Sequence, residues 1–350
     1  MSGRKSVPVQ VAIRSAVAEA LESRRLLTAT FWVTSAAASG PGSFADVIGV
    51  ANANPGPDTI AFNINGGGPA LIQMTAGLPT ITDPVTIDGT TQPGYAGTPL
   101  VHLRGDTTSV LAGGDRGLHF ASTAGGSVVH GLRMSNWWQA ISGAADLTPA
   151  PVTVVANHIT GNWFGVYTGA QWTVGGTTPA ARNVIAGNQY GIRLLANSVV
   201  QGNYIGTDPS GTMAHANVYG VELHGNNATI GGTTAEARNV ISGNTVGISG
   251  LASGTSLLAR VLGNYIGTDA TGAAPLGNGV GIDLRSSFTA GTDIGANVPG
   301  GGNVIAYNSG AGVRLLPTGD TRIIGNSIFA NGGLEIDVSP DGVNAAAYGA

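Results

Sequence analysis

The feature that most constrains this chain is that it repeats itself. Arg182-Asn-Val-Ile-Ala-Gly-Asn returns as Arg238-Asn-Val-Ile-Ser-Gly-Asn, Gly202-Asn-Tyr-Ile-Gly-Thr-Asp as Gly263-Asn-Tyr-Ile-Gly-Thr-Asp, and Thr173-Val-Gly-Gly-Thr-Thr as Thr229-Ile-Gly-Gly-Thr-Thr. Three matches in the same order mark a repeat architecture, in which each unit buries its apolar face only against its neighbours. A finer element, Asn-x-Ile/Val, starts at Asn157, Asn183, Asn203, Asn239, Asn264, Asn303 and Asn326, with spacings of 26, 20, 36, 25, 39 and 23 residues. Gly-Ile/Val-x-Leu follows, then a third short apolar strand ending near Val174, Val200, Ile230, Val261, Ile294 or Ile323. Three short strands per rung predict an all-β fold, a single-stranded right-handed parallel β-helix. Its alternation sends Ile192 and Leu194, Val221 and Leu223, Ile282 and Leu284, and Val313 and Leu315 inward. Rungs of such unequal length exclude leucine-rich and propeller repeats, whose periods are fixed. Gly and Asn at the bends suit left-handed backbone, and Asn recurring at one corner predicts a side-chain amide ladder.

Composition agrees with a solenoid that spreads its burial thinly: 57 of 350 residues are Gly, 42% are hydrophobic and only 10% are charged. The net charge of -4 is scattered without runs, which argues against a nucleic-acid partner. No cysteine is present, so disulfides and thiolate metal sites are excluded. No apolar run approaches the roughly 18 residues that a membrane span requires.

Two regions are expected. Residues 1–30 hold five of the 15 basic residues, Arg4, Lys5, Arg14, Arg24 and Arg25, and read as a separate leader or targeting segment. Residues 31–350 form the β-helix, with residues 31–64 as an N-terminal cap and first strand. Ser43 is the expected N-cap of a helix whose apolar face is Phe44, Val47, Ile48 and Ala51, and the strand follows from Asp58. Residues 341–350 show no amphipathic cover, so the last rung is expected to be open to end-to-end association with another chain.

Aligning the rungs places charged residues outside. The x of Gly-Ile/Val-x-Leu gives the column Tyr167, Arg193, Glu222, Ser249, Asp283, Arg314 and Glu335. Two residues on, His224, Arg285 and Asp337 share a parallel column. This predicts Arg193 beside Glu222, and Arg314 between Asp283 and Glu335. Such a ladder either keeps an exposed sheet soluble and in register, or forms a groove floor in which Arg193, Glu222, His224 and Arg285 grip a polymer. Trp137, Trp163 and Trp172 are candidate flat faces for sugar rings. Trp138, Phe164, Tyr190 and Tyr219 are expected to stack at a buried corner. Glu335 and Asp337, about 6.5 to 7 Å apart on one strand, approach the carboxyl spacing of an inverting glycosidase. With Asp283 and Arg314 they are the candidate catalytic residues, and Asp283, Glu335 and Asp337 are the candidate ligands of a calcium-type oxygen site. Asp208 and Asp269 close repeated loops and read as turn residues that line one groove edge. The six histidines show no metal-ligand spacing, and no nucleophile elbow, P-loop or dinucleotide fingerprint stands in a fitting context.

From residue 31 onward the chain is similar to right-handed parallel β-helix proteins of the pectate-lyase-like superfamily, specifically to repeat-rich members from bacterial surfaces. Leu21-Glu-Ser-Arg-Arg-Leu-Leu resembles the L-E-x-R-x-L-L leader of planctomycete surface proteins. Ser43-Phe-Ala-Asp-Val-Ile resembles a degenerate C-S-L-R-E-A-I marker that keeps only its serine and final isoleucine. The resemblance implies a secreted or cell-surface protein that meets polysaccharide or another surface component. That superfamily includes lyases, hydrolases, epimerases, adhesins and non-catalytic modules. Its lyases cluster calcium-binding aspartates beside a basic residue, and Asp283, Arg285, Arg314, Glu335 and Asp337 are the nearest approach here. Two expectations follow: a non-catalytic binding module, or a polysaccharide lyase, hydrolase or epimerase working along the second-strand face.

Overall fold

The computed structural model describes residues 28–106, 114–144, 148–250, 258–284, 291–316 and 320–338. The chain is an all-β parallel β-helix of about ten turns. Its three parallel sheets run the length of the solenoid with eleven, ten and nine strands. The first sheet contains the strands that end each rung, in the order Val174, Val200, Ile230, Val261, Ile294 and Ile323. The second contains Ile159, Ile185, Ile205, Ile241, Ile266, Ile305 and Ile328 in one unbroken column. The third contains Val166, Ile192, Val221, Ile248, Ile282 and Val313. Most of these side chains are fully buried, so the core is three stacked aliphatic columns.

Two asparagine ladders run along this core, where the sequence predicted one. The first joins Asn157, Asn183, Asn203, Asn239, Asn264, Asn303 and Asn326, each Nδ2 donating to the next Oδ1. The second joins Asn162, Asn188, Asn217, Asn244, Asn278, Asn308 and Asn331 in the same way, on the other side of the second sheet. Every amide also serves the backbone: Asn239 Nδ2 donates to Val200 O at 2.9 Å, and its Oδ1 accepts from Asn203 N at 2.9 Å. A bend takes backbone polar groups out of the sheet ladders, and burying them unpaired is costly. The ladders supply the missing partners. They begin at Asn157 and Asn162, whose Oδ1 atoms cap Leu132 N and Trp137 N in the preceding rung. This is why the Asn signal marks seven rungs while the solenoid has about ten turns.

The repeated Val-Gly-Gly and Ile-Gly-Gly also have a steric cause. Gly175 and Gly231 sit at φ of +85° and +86°, and a Cβ at either would collide with the carbonyl oxygen of Gln201 or Leu262.

At the N-terminal end, the helix Phe44–Ala53 buries Phe44, Val47, Ile48 and Ala51, and Ser43 Oγ accepts from Asp46 N at 3.3 Å. Phe44 meets Phe62 with ring centroids 5.4 Å apart. One strand was missed: Thr30–Val33 precedes the helix and pairs with Thr59 to Phe62, so the first rung begins inside the segment assigned to the leader. Residues 1–27 and 339–350, which carry the leader motif and the C-terminal segment, lie outside the described residues. In the last described rung, Ile324, Phe329, Leu334 and Ile336 are partly exposed.

Replacing a central rung of a ladder tests its weight. Asn239→Ala removes four hydrogen bonds and leaves buried backbone groups unmet, so it is expected to destabilise by about 2 to 4 kcal/mol in urea unfolding. Thr233→Ala, on an exposed loop, is expected to stay within about 0.5 kcal/mol.

Candidate functional site

The outer face of the third sheet holds a column of one register: His119, Ser142, Tyr167, Arg193, Glu222, Ser249, Asp283, Arg314 and Asp337. The expected order is found from Tyr167 to Arg314, and two further rungs extend it N-terminally. The final member differs, because Arg314 pairs with Asp337 rather than Glu335. Arg314 lies between two carboxylates, Nη1 at 3.9 Å from Asp283 and Nε at 3.8 Å from Asp337. Glu335 instead accepts from Asn331 Nδ2 at the end of the second ladder. Asp337 is thus held by a guanidinium and Glu335 by an amide. Among the described residues no group of three or more His, Asp or Glu side chains is placed to hold a metal ion. Arg285 lies outside the described residues.

Mid-column, Glu222 is completely buried, which corrects its reading as an exposed contact on a groove floor. Arg193 Nε donates to Glu222 Oε2, while Oε1, Ser249 Oγ and His224 Nδ1 are buried without a hydrogen-bond partner. His224 is half-buried, and desolvation, then Arg193, lower its pKa. Breaking such a buried pair by removing one partner leaves an uncompensated charge, which is strongly destabilising.

The open part of the face lies N-terminal to Glu222. A groove of about 610 Å³ is lined by Arg116, His119, Trp138, Trp163, Phe164, Tyr167 and Arg193, with no carboxylate among its described lining residues. Phe164 stacks on Tyr190 at 4.8 Å and Tyr190 on Tyr219 at 5.0 Å. The Arg193 guanidinium covers the rings of Phe164, Tyr167 and Tyr190 at 4.5 to 5.4 Å. This aromatic column was expected at a buried corner. The expected register with Val246 and Val280 is found, with Phe164 buried, Tyr190 and Tyr219 half-buried, and the Arg193 guanidinium over Phe164 and Tyr190. Trp138 is one place out of that register and meets Phe164 edge-on at 6.1 Å, with Arg116 over its ring at 5.9 Å. Arg116 Nη1 lies 3.1 Å from His119 Nε2, and His119 Nδ1 lies 3.0 Å from Ser142 Oγ. Desolvation and then Arg116 lower the His119 pKa.

Of the three candidate tryptophans, only Trp163 lines this groove. Trp137 and Trp172 are core residues. Trp137 occupies the rung before Asn162 in the second ladder, so its side chain enters the interior, where Nε1 donates to Leu103 O at 3.2 Å. Trp172 meets Phe120 edge-on at 5.7 Å. Sequence reasoning missed Arg116, His119 and Trp138 as site residues. The signal was present: Gly117-Leu-His-Phe carries the Gly-apolar-x-apolar grammar of the second strand two rungs before it was read.

Asp208 and Asp269 close their own turns, as expected. Asp208 accepts from Thr212 N and Met213 N, and Asp269 from Thr271 N and Ala274 N. Burial pushes both carboxyls up, but these hydrogen bonds outweigh it and hold both below the ordinary range. Ala270 N donates to Gly211 O at 2.9 Å, so the two loops pack on each other.

No protein-family model and no curated protein matches this chain.

Two expectations follow. Arg193→Ala strips the buried Glu222 carboxylate of its partner and is expected to cost about 3 to 5 kcal/mol, with Glu222→Gln in the same background recovering part of it, measured by urea unfolding. Lowered native-state pKa values at His102, His119, His158 and His224 give a pH dependence of one sign. The His102 value is about 4 against an ordinary 6.5, set by desolvation, then Arg133 and Arg104. The unfolded chain binds protons that the native state refuses, so stability falls as pH drops from 6.5 towards 4. The urea midpoint measured across that range checks this, and His102→Gln should flatten part of the slope.

Proposed function

We propose that this chain is an extracellular or cell-surface module that binds a polysaccharide along the outer face of its third sheet, without catalysis. The observation that carries this reading is the groove walled by Trp138, Trp163 and Tyr167, with Arg116 and Arg193 beside them and no carboxylate among its described lining residues. Flat, half-buried aromatic faces accept the apolar faces of sugar rings. Arginine at the rim pairs with carboxylates in a planar, two-pronged geometry, which favours a uronate-bearing polymer over a neutral one. Strands stacked at roughly 4.8 Å present this surface as a straight track, a shape suited to an extended chain. The absence of catalysis is inferred from the carboxylates: Asp283, Asp337 and Glu335 are engaged with Arg314 or Asn331, away from the groove. The leader-like Leu21-Glu-Ser-Arg-Arg-Leu-Leu supports export.

Titration of the full chain with acidic and neutral oligosaccharides, with calcium or with chelator, tests the proposal. Trp163→Ala and Arg116→Ala are each expected to weaken binding of the acidic oligosaccharide by about tenfold, on the order of 1.4 kcal/mol, with unchanged thermal stability. No shortened or unsaturated product should form. Sugar release, or binding indifferent to both substitutions, would overturn the proposal.

A further inference from the structure

A second cleft, of about 350 Å³, opens at the corner between the first and second sheets. It is lined by Thr90, Tyr95, His130, His158, Pro179 and Arg182, with small residues completing the wall. Two inserted corner segments build it. One is the loop after the short helical turn Gly89–Thr91, which carries Tyr95, and the other is the turn Pro179–Ala181, which leads into Arg182.

The internal repeat supplies a comparison within the same molecule. Arg182 and Arg238 open the two copies of the Arg-Asn-Val-Ile motif and share one anchor. Arg182 Nε donates to Gly202 O at 3.2 Å with its guanidinium over Tyr204 at 4.1 Å; Arg238 Nε donates to Gly263 O at 2.9 Å with its guanidinium over Tyr265 at 4.2 Å. They then diverge. Arg238 spends Nη1 on Tyr265 Oη at 3.0 Å, whereas the Nη atoms of Arg182 take no hydrogen bond among the described residues and its side chain lines the cleft. A guanidinium fixed in plane by stacking and by its Nε bond, with its outer donors unspent, is prepared to grip an anion in two-pronged fashion.

The neighbours agree. His130 Nδ1 lies 3.5 Å from Asp88, whose carboxylate is itself engaged by Thr90 N and Thr90 Oγ1 at 3.0 and 2.6 Å. His158 pairs in register with the exposed Arg133, which adds positive potential at the rim. Desolvation, then Arg133, lower the His158 pKa. Asp88 is the one carboxylate among the residues named, and Thr90 N and Oγ1 donate to it and hold it on its own loop.

We propose that this cleft is an anion-binding site, with Arg182 as the principal ligand and His130 and His158 as flanking donors, for a carboxylate, sulfate or phosphate group. It stands on a different face from the groove of the third sheet and does not rest on that reading.

Full-chain protein titrated separately with sulfate, inorganic phosphate and an oligouronate, followed by calorimetry and by the His130 and His158 ring resonances, tests it. At least one anion is expected to shift both resonances. Arg182→Ala is expected to weaken that binding tenfold or more, Arg182→Lys to weaken it less, and Arg238→Ala to leave it unchanged. Ala180→Trp, on the exposed rim, blocks the cleft without touching the Arg182 anchor and keeps the test valid if Arg182→Ala fails to fold. Tighter binding of the oligouronate than of the inorganic anions assigns the site to a polymer-borne carboxylate, and comparable binding assigns it to a free anion. Unmoved histidine resonances with all three anions, or equal losses in Arg182→Ala and Arg238→Ala, would overturn the proposal.

Discussion

The structure depends on how a parallel solenoid satisfies its backbone at the corners. Strands pair rung to rung without difficulty, but each bend removes peptide groups from the sheet and buries them in an apolar interior. Two files of asparagine meet this need. A carboxamide has one acceptor and two donors, enough to take an N–H from the rung before, donate to its neighbour in the file and donate to a backbone carbonyl. Aspartate would bring a buried charge and serine too few donors. The ladders also fix register, because a slipped rung would break both files at once.

That constraint explains what the sequence revealed and what it hid. The Asn-x-Ile element was legible because ladder, strand and column fall at constant offsets: the amide turns inward at the corner and Ile enters the core two residues later. The second ladder was less legible, since Asn162, Asn217 and Asn308 are preceded by Gly, Ala and Tyr and lack one shared tripeptide. The outward column was predicted correctly wherever Gly-Ile/Val-x-Leu is intact. It failed at the last rung, where Gly332-Gly-Leu-Glu-Ile-Asp offers two frames, and the pairing of Val313 with Ile336 selects the one that places Asp337 beside Arg314. The tryptophans failed for a different reason. Trp137 and Trp138 are adjacent, alternation sends one in and one out, and only the position of Asn162 in the next rung decides which.

The third sheet then divides by electrostatics. From Arg193 to Asp337 the outer column pairs its charges internally, two guanidiniums against three carboxylates, with Glu222 drawn fully inside. From Arg116 to Tyr167 the same face carries aromatic rings and the Arg116 guanidinium, with no carboxylate among the described lining residues. Arg193 joins the two halves: it satisfies Glu222 on one side and roofs three aromatic rings on the other. A surface that spends its charges internally along one half and leaves rings and a guanidinium open along the other is organised for contact with an extended, acceptor-rich partner at one end.

The most direct measurement is the set of tryptophan indole resonances recorded as an acidic oligosaccharide is added. Trp138 and Trp163 stand at the groove, while Trp137 and Trp172 are buried within the solenoid and serve as internal controls. The account predicts saturable shifts of Trp138 and Trp163 with Trp137 and Trp172 unmoved. Shifts confined to the buried pair, or none at any of the four, would contradict the assignment of the third-sheet face as the binding surface.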